Sequence, residues 1–234
     1  MNDMNETALV RVRELGFSYR RQPVFAGLTL GAARGECVVL AGPNGSGKST
    51  VLALLAGILR AQTGSVSVQG RIGYVPQGDA LLTDATVGEN LRFFYALAHA
   101  PVPERLPFDV QRFGGKRIGA LSGGMRKQVS IACALAGDPE VLLLDEPCAG
   151  LDLCFTELLT DAILRWKKQG RAVVYVSHDP AQLGACADRV VFLSRPPRYA
   201  EREELARSPG IAENVGALYR SLFAEPEKKE TEEK

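Results

Sequence analysis

Apolar and polar positions follow two rhythms along this chain, and the rhythm changes several times. Near the N-terminus Val10 and Val12 alternate with arginines. A period of two predicts a strand with one buried face. Leu28-Thr29-Leu30 repeats it, with Gly31 and Gly35 read as turns. Cys37 to Ala41 and Val141 to Leu144 are instead unbroken apolar runs, which suit strands covered on both faces. Ser49 to Arg60 is apolar nearly all round, interrupted only by Gly57, and predicts a buried helix. Val66–Val68 and Ile72–Val75 read as short strands, and residues 87–98 as a helix.

Further on, a helix starts at Ser122 and ends near Gly137-Asp138-Pro139. Another covers about 156–168, with Leu158, Leu159, Ala162, Ile163 and Trp166 on its apolar face. Arg165, Lys167 and Lys168 suit its negative end, and Gly170 stops it. Apolar strands follow at 172–176 and 189–193. Strands alternating with helices imply an α/β fold with a mostly parallel sheet. The stretch from Gln77 to Ala120 departs from this, with one helix and then prolines at 101, 103 and 107. It reads as an inserted helical subdomain, bounded at about 78–137. Ile211, Val215, Leu218 and Leu222 share one face of a last helix, expected to pack on its own domain. The final ten residues hold five acids and three lysines and predict a disordered charged tail over 225–234. One domain over 8–224 remains.

Composition narrows the function. Twenty-eight basic residues against 27 acidic ones give a formal charge of +1, too little for a nucleic-acid binder driven by phosphate neutralisation. The longest strongly apolar stretch, Val51 to Leu59, falls well short of the roughly 20 residues that span a bilayer, so direct membrane insertion is not expected. The cysteines (37, 133, 148, 154 and 186) are odd in number and contain no CxxC pair. They read as reduced core thiols of a cytosolic protein.

Three segments carry chemistry. Gly42-Pro43-Asn44-Gly45-Ser46-Gly47-Lys48-Ser49-Thr50 fits GxxxxGK[ST] between a buried strand and a helix, the context in which that spacing cradles phosphates. The glycines turn backbone N–H groups inward, and the helix aims its positive end at the same anion. Lys48 adds a charge toward the β- and γ-phosphates, and Ser49 offers a hydroxyl to Mg²⁺. Asp145 and Glu146 end the second unbroken strand; Asp145 is expected to face the metal through water, and Glu146 to deprotonate the water that attacks the γ-phosphate. Leu121-Ser122-Gly123-Gly124-Met125 opens a further helix with exposed N–H groups, a second anion cradle in one chain.

GPNGSGKST, LSGGM, VLLLDE, Ala149-Gly150-Leu151-Asp152 and Ser177-His178 occur in that order, with Gln77 between the first two. Together they resemble the nucleotide-binding domain of ATP-binding-cassette (ABC) proteins over roughly residues 8–195. The resemblance implies a P-loop ATPase with a small N-terminal antiparallel β subdomain and an inserted helical subdomain. It implies that Tyr19 stacks on adenine, that Gln77 touches Mg²⁺ and the attacking water, and that His178 senses the γ-phosphate. Ser122, Gly123 and Gly124 would bind the ATP of a second subunit, and Asp152 would lie at the dimer interface. Cys148 replaces a common threonine or serine, and Pro196-Pro197-Arg198 interrupts a usual hairpin.

The first reading is therefore a Mg-dependent ATPase subunit of a transporter. It dimerises with itself or a homologue around two ATP, docks on an integral membrane subunit near residues 77–95, and lies on the cytoplasmic face of the membrane. Residues 83–91 resemble the equivalent stretch of export-type systems. A second reading is an ABC ATPase of a cytosolic assembly in cofactor biogenesis, translation or repair; such proteins often carry paired cassettes, coiled-coil insertions or long basic segments, and this sequence shows one cassette and none of the others. A third, a non-catalytic nucleotide-dependent scaffold, sits poorly with an intact Glu146 and His178.

Overall fold

The unbroken apolar runs become the centre of a six-stranded sheet. In the computed structural model, which describes residues 8–20, 22–78, 80–177, 185–206 and 211–223, strands β1 (Ala8–Tyr19), β2 (Gln22–Ala33) and β4 (Thr63–Val68) form a small antiparallel sheet in the order β2-β1-β4. Strands β3 (Cys37–Ala41), β5 (Ile72–Val75), β6 (Val141–Asp145), β7 (Ala172–Val176), β8 (Arg189–Phe192) and β9 (Arg198–Glu201) form the second sheet, ordered β5-β6-β7-β3-β8-β9. Every neighbour pair in it is parallel except β8 with β9.

Every residue of β3, β6 and β7 is buried, and the side chains alternate between two cores. Val39, Leu144 and Tyr175 join α3 (Gly123–Ala134) and α4 (Leu153–Lys168) on one face. Leu40, Leu143 and Val174 join α1 (Lys48–Leu55) and the antiparallel sheet on the other. Burial on both faces is why these strands carry no polar alternation.

A third apolar cluster lies in the inserted segment, around Val87 and Leu91 of α2 (Val87–Leu97) and Val110 and Ile118 in two 3₁₀ turns. Thr86 starts α2 with a capping box: Glu89 N donates to its hydroxyl, and its own N–H donates to the Glu89 carboxylate. Asn90, fully buried, bonds both the N–H and the carbonyl of Leu82 and so fixes the loop before the helix. Phe108, at φ 59°, touches both this cluster and the main core, its ring 6.1 Å from that of Phe155.

Several expectations change. The helix predicted to reach Arg60 stops at Leu55, because Gly57 (φ 73°) closes it: Ile58 N donates to Ala53 O and Gly57 N to Leu54 O, the Schellman pattern. Gly31 lies within β2, and the chain turns only after Ala33. Leu158 is 47% exposed, while Phe155 takes its place on the buried face of α4. The hairpin that Pro196-Pro197 was expected to interrupt does form; the prolines occupy the connection between β8 and β9. The last helix, α6 (Ile211–Phe223), follows the short α5 (Arg202–Leu205), and Val215, Leu218 and Leu222 pack on the main core as expected. Cys37, Cys133 and Cys186 are buried thiols, but Cys154 is exposed and Cys148 only partly covered. The tail over 225–234 lies outside the described residues. Among the described residues no helix is long and apolar enough to cross a membrane.

Candidate functional site

Four parallel strands deliver the predicted residues to one edge of the sheet. The loop 42–47 leaves β3, Gln77 follows β5, Asp145 and Glu146 end β6, and Ser177 follows β7. Carboxyl ends of parallel strands are where ligands gather in such sheets. A cavity of about 540 Å³ opens there, lined by Tyr19, Asn44, Lys48, Ser49, Gln77 and Glu146, among others.

The loop is held open by geometry that only glycine permits at one key position. Gly47, at φ 100°, caps α1 without a side-chain hydrogen bond. A Cβ there would stand 2.5 Å from Val24 Cγ1 and 2.8 Å from Phe25 Cδ1, closer than atoms pack. Gly47, Lys48 and Ser49, at the positive end of α1, line the cavity. Lys48 Nζ donates to the carbonyls of Gly42 (2.9 Å) and Pro43 (3.0 Å) and lies 4.0 Å from Glu146 Oε1. Burial pushes its pKa down, while Glu146 and Asp145 push it up. Ser46 Oγ is buried in the same loop without a hydrogen-bond partner among the described residues.

Glu146 has φ 46°, a left-handed backbone that a side chain of this kind adopts rarely. That turn swings its carboxylate out of the strand, so that Oε2 accepts from Gln77 Nε2 at 3.2 Å. Asp145 points elsewhere. It is 2% exposed, and its Oδ1 has no hydrogen-bond partner among the described residues. Burial raises its pKa, the Ser49 hydroxyl lowers it, and Glu146 raises it again. A buried carboxylate oxygen left unpaired beside a serine hydroxyl is a donor set that fits a hard divalent cation such as Mg²⁺.

Tyr19 is 51% exposed, stacks edge-on against Phe17 at 5.0 Å, and shares a hydrogen bond with Thr50 Oγ1 at 3.3 Å. Its outer face borders the cavity. Ser122, Gly123, Gly124 and Asp152 do not line it. Ser122 and Gly123 are exposed at the start of α3, with Ser122 Oγ accepting from Met125 N at 3.2 Å. Asp152 is exposed as well, and it caps α4, its Oδ1 accepting from Phe155 N at 2.8 Å. His178 lies outside the described residues.

Two features escape a reading of the sequence. Lys127, only 8% exposed, reaches from α3 to the carbonyls of Pro76 and Gln77; its neighbours Arg126 and Gln128 make the stretch read as a polar helix surface. The backbone strain at Glu146 has no signal at all, since it depends on how β6 leaves the sheet.

Residues 25–149 match the family profile described as ABC transporter. The chain is 34% identical over 215 residues to the Nod factor export ATP-binding protein I of Rhizobium meliloti (strain 1021), a match covering 83% of this chain and 64% of that protein. It is 32% identical over 246 aligned positions to the taurine import ATP-binding protein TauB of Pseudomonas putida, covering 97% and 93%. Among solved structures, an ATP-binding subunit of an ABC transporter superposes with a TM-score of 0.77 at 25% identity, covering 90% of this chain and 99% of that one. An inward-facing metal-chelate type ABC transporter gives 0.76 at 28%, covering 92% and 89%.

Proposed function

Since the chain belongs to the ABC transporter family, we propose that it is the ATP-binding and ATP-hydrolysing subunit of such a transporter, a single ATPase domain over residues 8–224. The observation that carries this is the contact of Glu146 with both Gln77 and the Lys48 region at the mouth of the phosphate loop. Tyr19 stacks on the adenine. Gly42 to Thr50 wrap the phosphates, with Lys48 leaving the loop carbonyls for the β- and γ-oxygens. Ser49, Gln77 and Asp145 would hold Mg²⁺, which when bound would neutralise phosphate charge. Glu146 takes the proton of the attacking water, Gln77 orients that water, and His178 contacts the γ-phosphate.

The exposed Ser122 to Gly124 cradle completes the nucleotide site of a second copy or a homologue, and Asp152 lies at that interface. ATP is thereby shared by two chains, and hydrolysis breaks the shared contacts. Support for a membrane subunit comes from an apolar groove of about 320 Å³ beside α2, lined by Leu81, Phe94, Leu97 and Ala134 among others. Phe93 is 45% and Leu97 63% exposed on that helix. A short helix of an integral membrane partner docks there, which holds the subunit on the cytoplasmic face. Relatives named for export and for import both match the chain, so the proposal concerns the motor and leaves the cargo to the membrane partner.

The test is Glu146→Gln. MgATP binding should persist, turnover should fall by about 10²–10⁴-fold, the range a general base contributes, and an ATP-bound dimer should accumulate on size-exclusion chromatography. Normal turnover in this variant would refute the base assignment.

A further inference from the structure

At the opposite end of the parallel strands from the nucleotide cavity lies a second cavity, about 660 Å³. Arg71 precedes β5, Asp138 precedes β6 and Arg171 precedes β7, and all three line it. Arg165 of α4 lines it from the core, and Arg105 from the proline-rich inserted segment. Among the described residues, four guanidiniums thus meet one carboxylate in the lining. Two of them are tied down: Arg71 Nη1 donates to Gly137 O at 2.7 Å, and Arg171 pairs with Asp138. Arg105 and Arg165 have no acidic partner among the described residues. Glu140 accepts from the backbone N–H of Arg71.

Like charges gathered around a concave surface repel one another, and a bound anion relieves the repulsion. Guanidiniums present planar forks that match phosphate oxygens bidentately, two bonds at a time. The volume lies within the range of small-molecule sites and exceeds what a single phosphate needs. Pro101, Pro103 and the edge of the buried Trp166 supply a stiff apolar wall. We infer that this cavity is a second anion site, distinct from the nucleotide loop, that takes a small polyphosphate anion bridging Arg105 of the inserted segment to Arg165 of α4. Occupancy ties the helical segment to the core at the seam where Phe108 already touches both.

The probe is inorganic tripolyphosphate, titrated calorimetrically into the full chain while saturating ADP fills the nucleotide loop. Binding should persist under ADP, weaken with salt, and fall roughly tenfold or more in Arg105→Ala and again in Arg105→Ala/Arg165→Ala, the scale of one charge-assisted bond per tenfold step. Unchanged ADP affinity in both variants verifies the fold, since both side chains are exposed. Equal tripolyphosphate affinity in native and double-variant protein would overturn the inference. So would binding that ADP abolishes, which assigns the anion to the nucleotide loop. Binding of a glutamate-rich peptide in place of tripolyphosphate, with the same arginine dependence, would overturn it in favour of an acidic protein partner.

Discussion

Lys127 of α3 donates to the main-chain carbonyl of Gln77 at 3.1 Å, and to that of Pro76 at the same distance. One buried ammonium thereby joins the helix that begins at Ser122 to the glutamine that contacts Glu146. Lys127→Ala should leave two carbonyls without this donor and loosen the placement of Gln77. Hydrogen bonds to charged groups are worth about 1.5–3 kcal/mol, so kcat for ATP hydrolysis is expected to fall by about ten- to a hundredfold. The KM for ATP should change little, because the phosphate loop is untouched. A thermal midpoint and a nucleotide-binding stoichiometry that stay at native values, measured beside the steady-state kinetics, separate this from general destabilisation, which lowers both.

Asp152 has a local duty that any interface role must share, since its carboxylate caps α4. Asp152→Ala should cost about 1 kcal/mol of stability, whereas Asp152→Asn retains an acceptor for the same N–H and should lose much less. Chemical denaturation of the two variants measures the difference. A dimerisation defect that appears in the asparagine variant as well would then belong to the charge and the interface.

Phe93 and Leu97 leave apolar surface on α2 uncovered, beside the groove proposed for the membrane subunit. Leu97→Asp should leave basal ATP hydrolysis by the isolated subunit within twofold or so, because substitutions at exposed sites change stability by roughly 0.5 kcal/mol or less. Co-purification with the membrane subunit should be lost. Retained association would place the docking surface elsewhere.

Thiol labelling checks the packing directly. Cys154 is exposed, while Cys37, Cys133 and Cys186 are buried. Burial pushes the Cys133 thiol up to about 12, so it stays protonated and unreactive at pH 8 as well as shielded. A maleimide should modify Cys154 within minutes in the native protein and reach those three only on unfolding, as read by peptide mass mapping. The sign of the linkage is that Cys133 favours the native state up to the ordinary thiol range, and that contribution fades as pH rises toward about 12.

What the linear chain determined by itself were the features that depend on local rules. The loop 42–47, the buried runs of β3 and β6, the cap at Ser122 and the family signature are all readable because each is a short string whose chemistry is carried by neighbours in sequence. Gly57 was visible too, but its power to end α1 depended on two hydrogen bonds closing around it. Tertiary structure alone decided the rest. Gln77 and Glu146 are 69 residues apart, and only the adjacency of β5 and β6 brings them into contact. The left-handed turn at Glu146, the reach of Lys127 and the arginines at the far edge of the sheet come from the same source. Parallel strands collect residues from distant segments at each end of the sheet, and no local pattern records which segments will be neighbours.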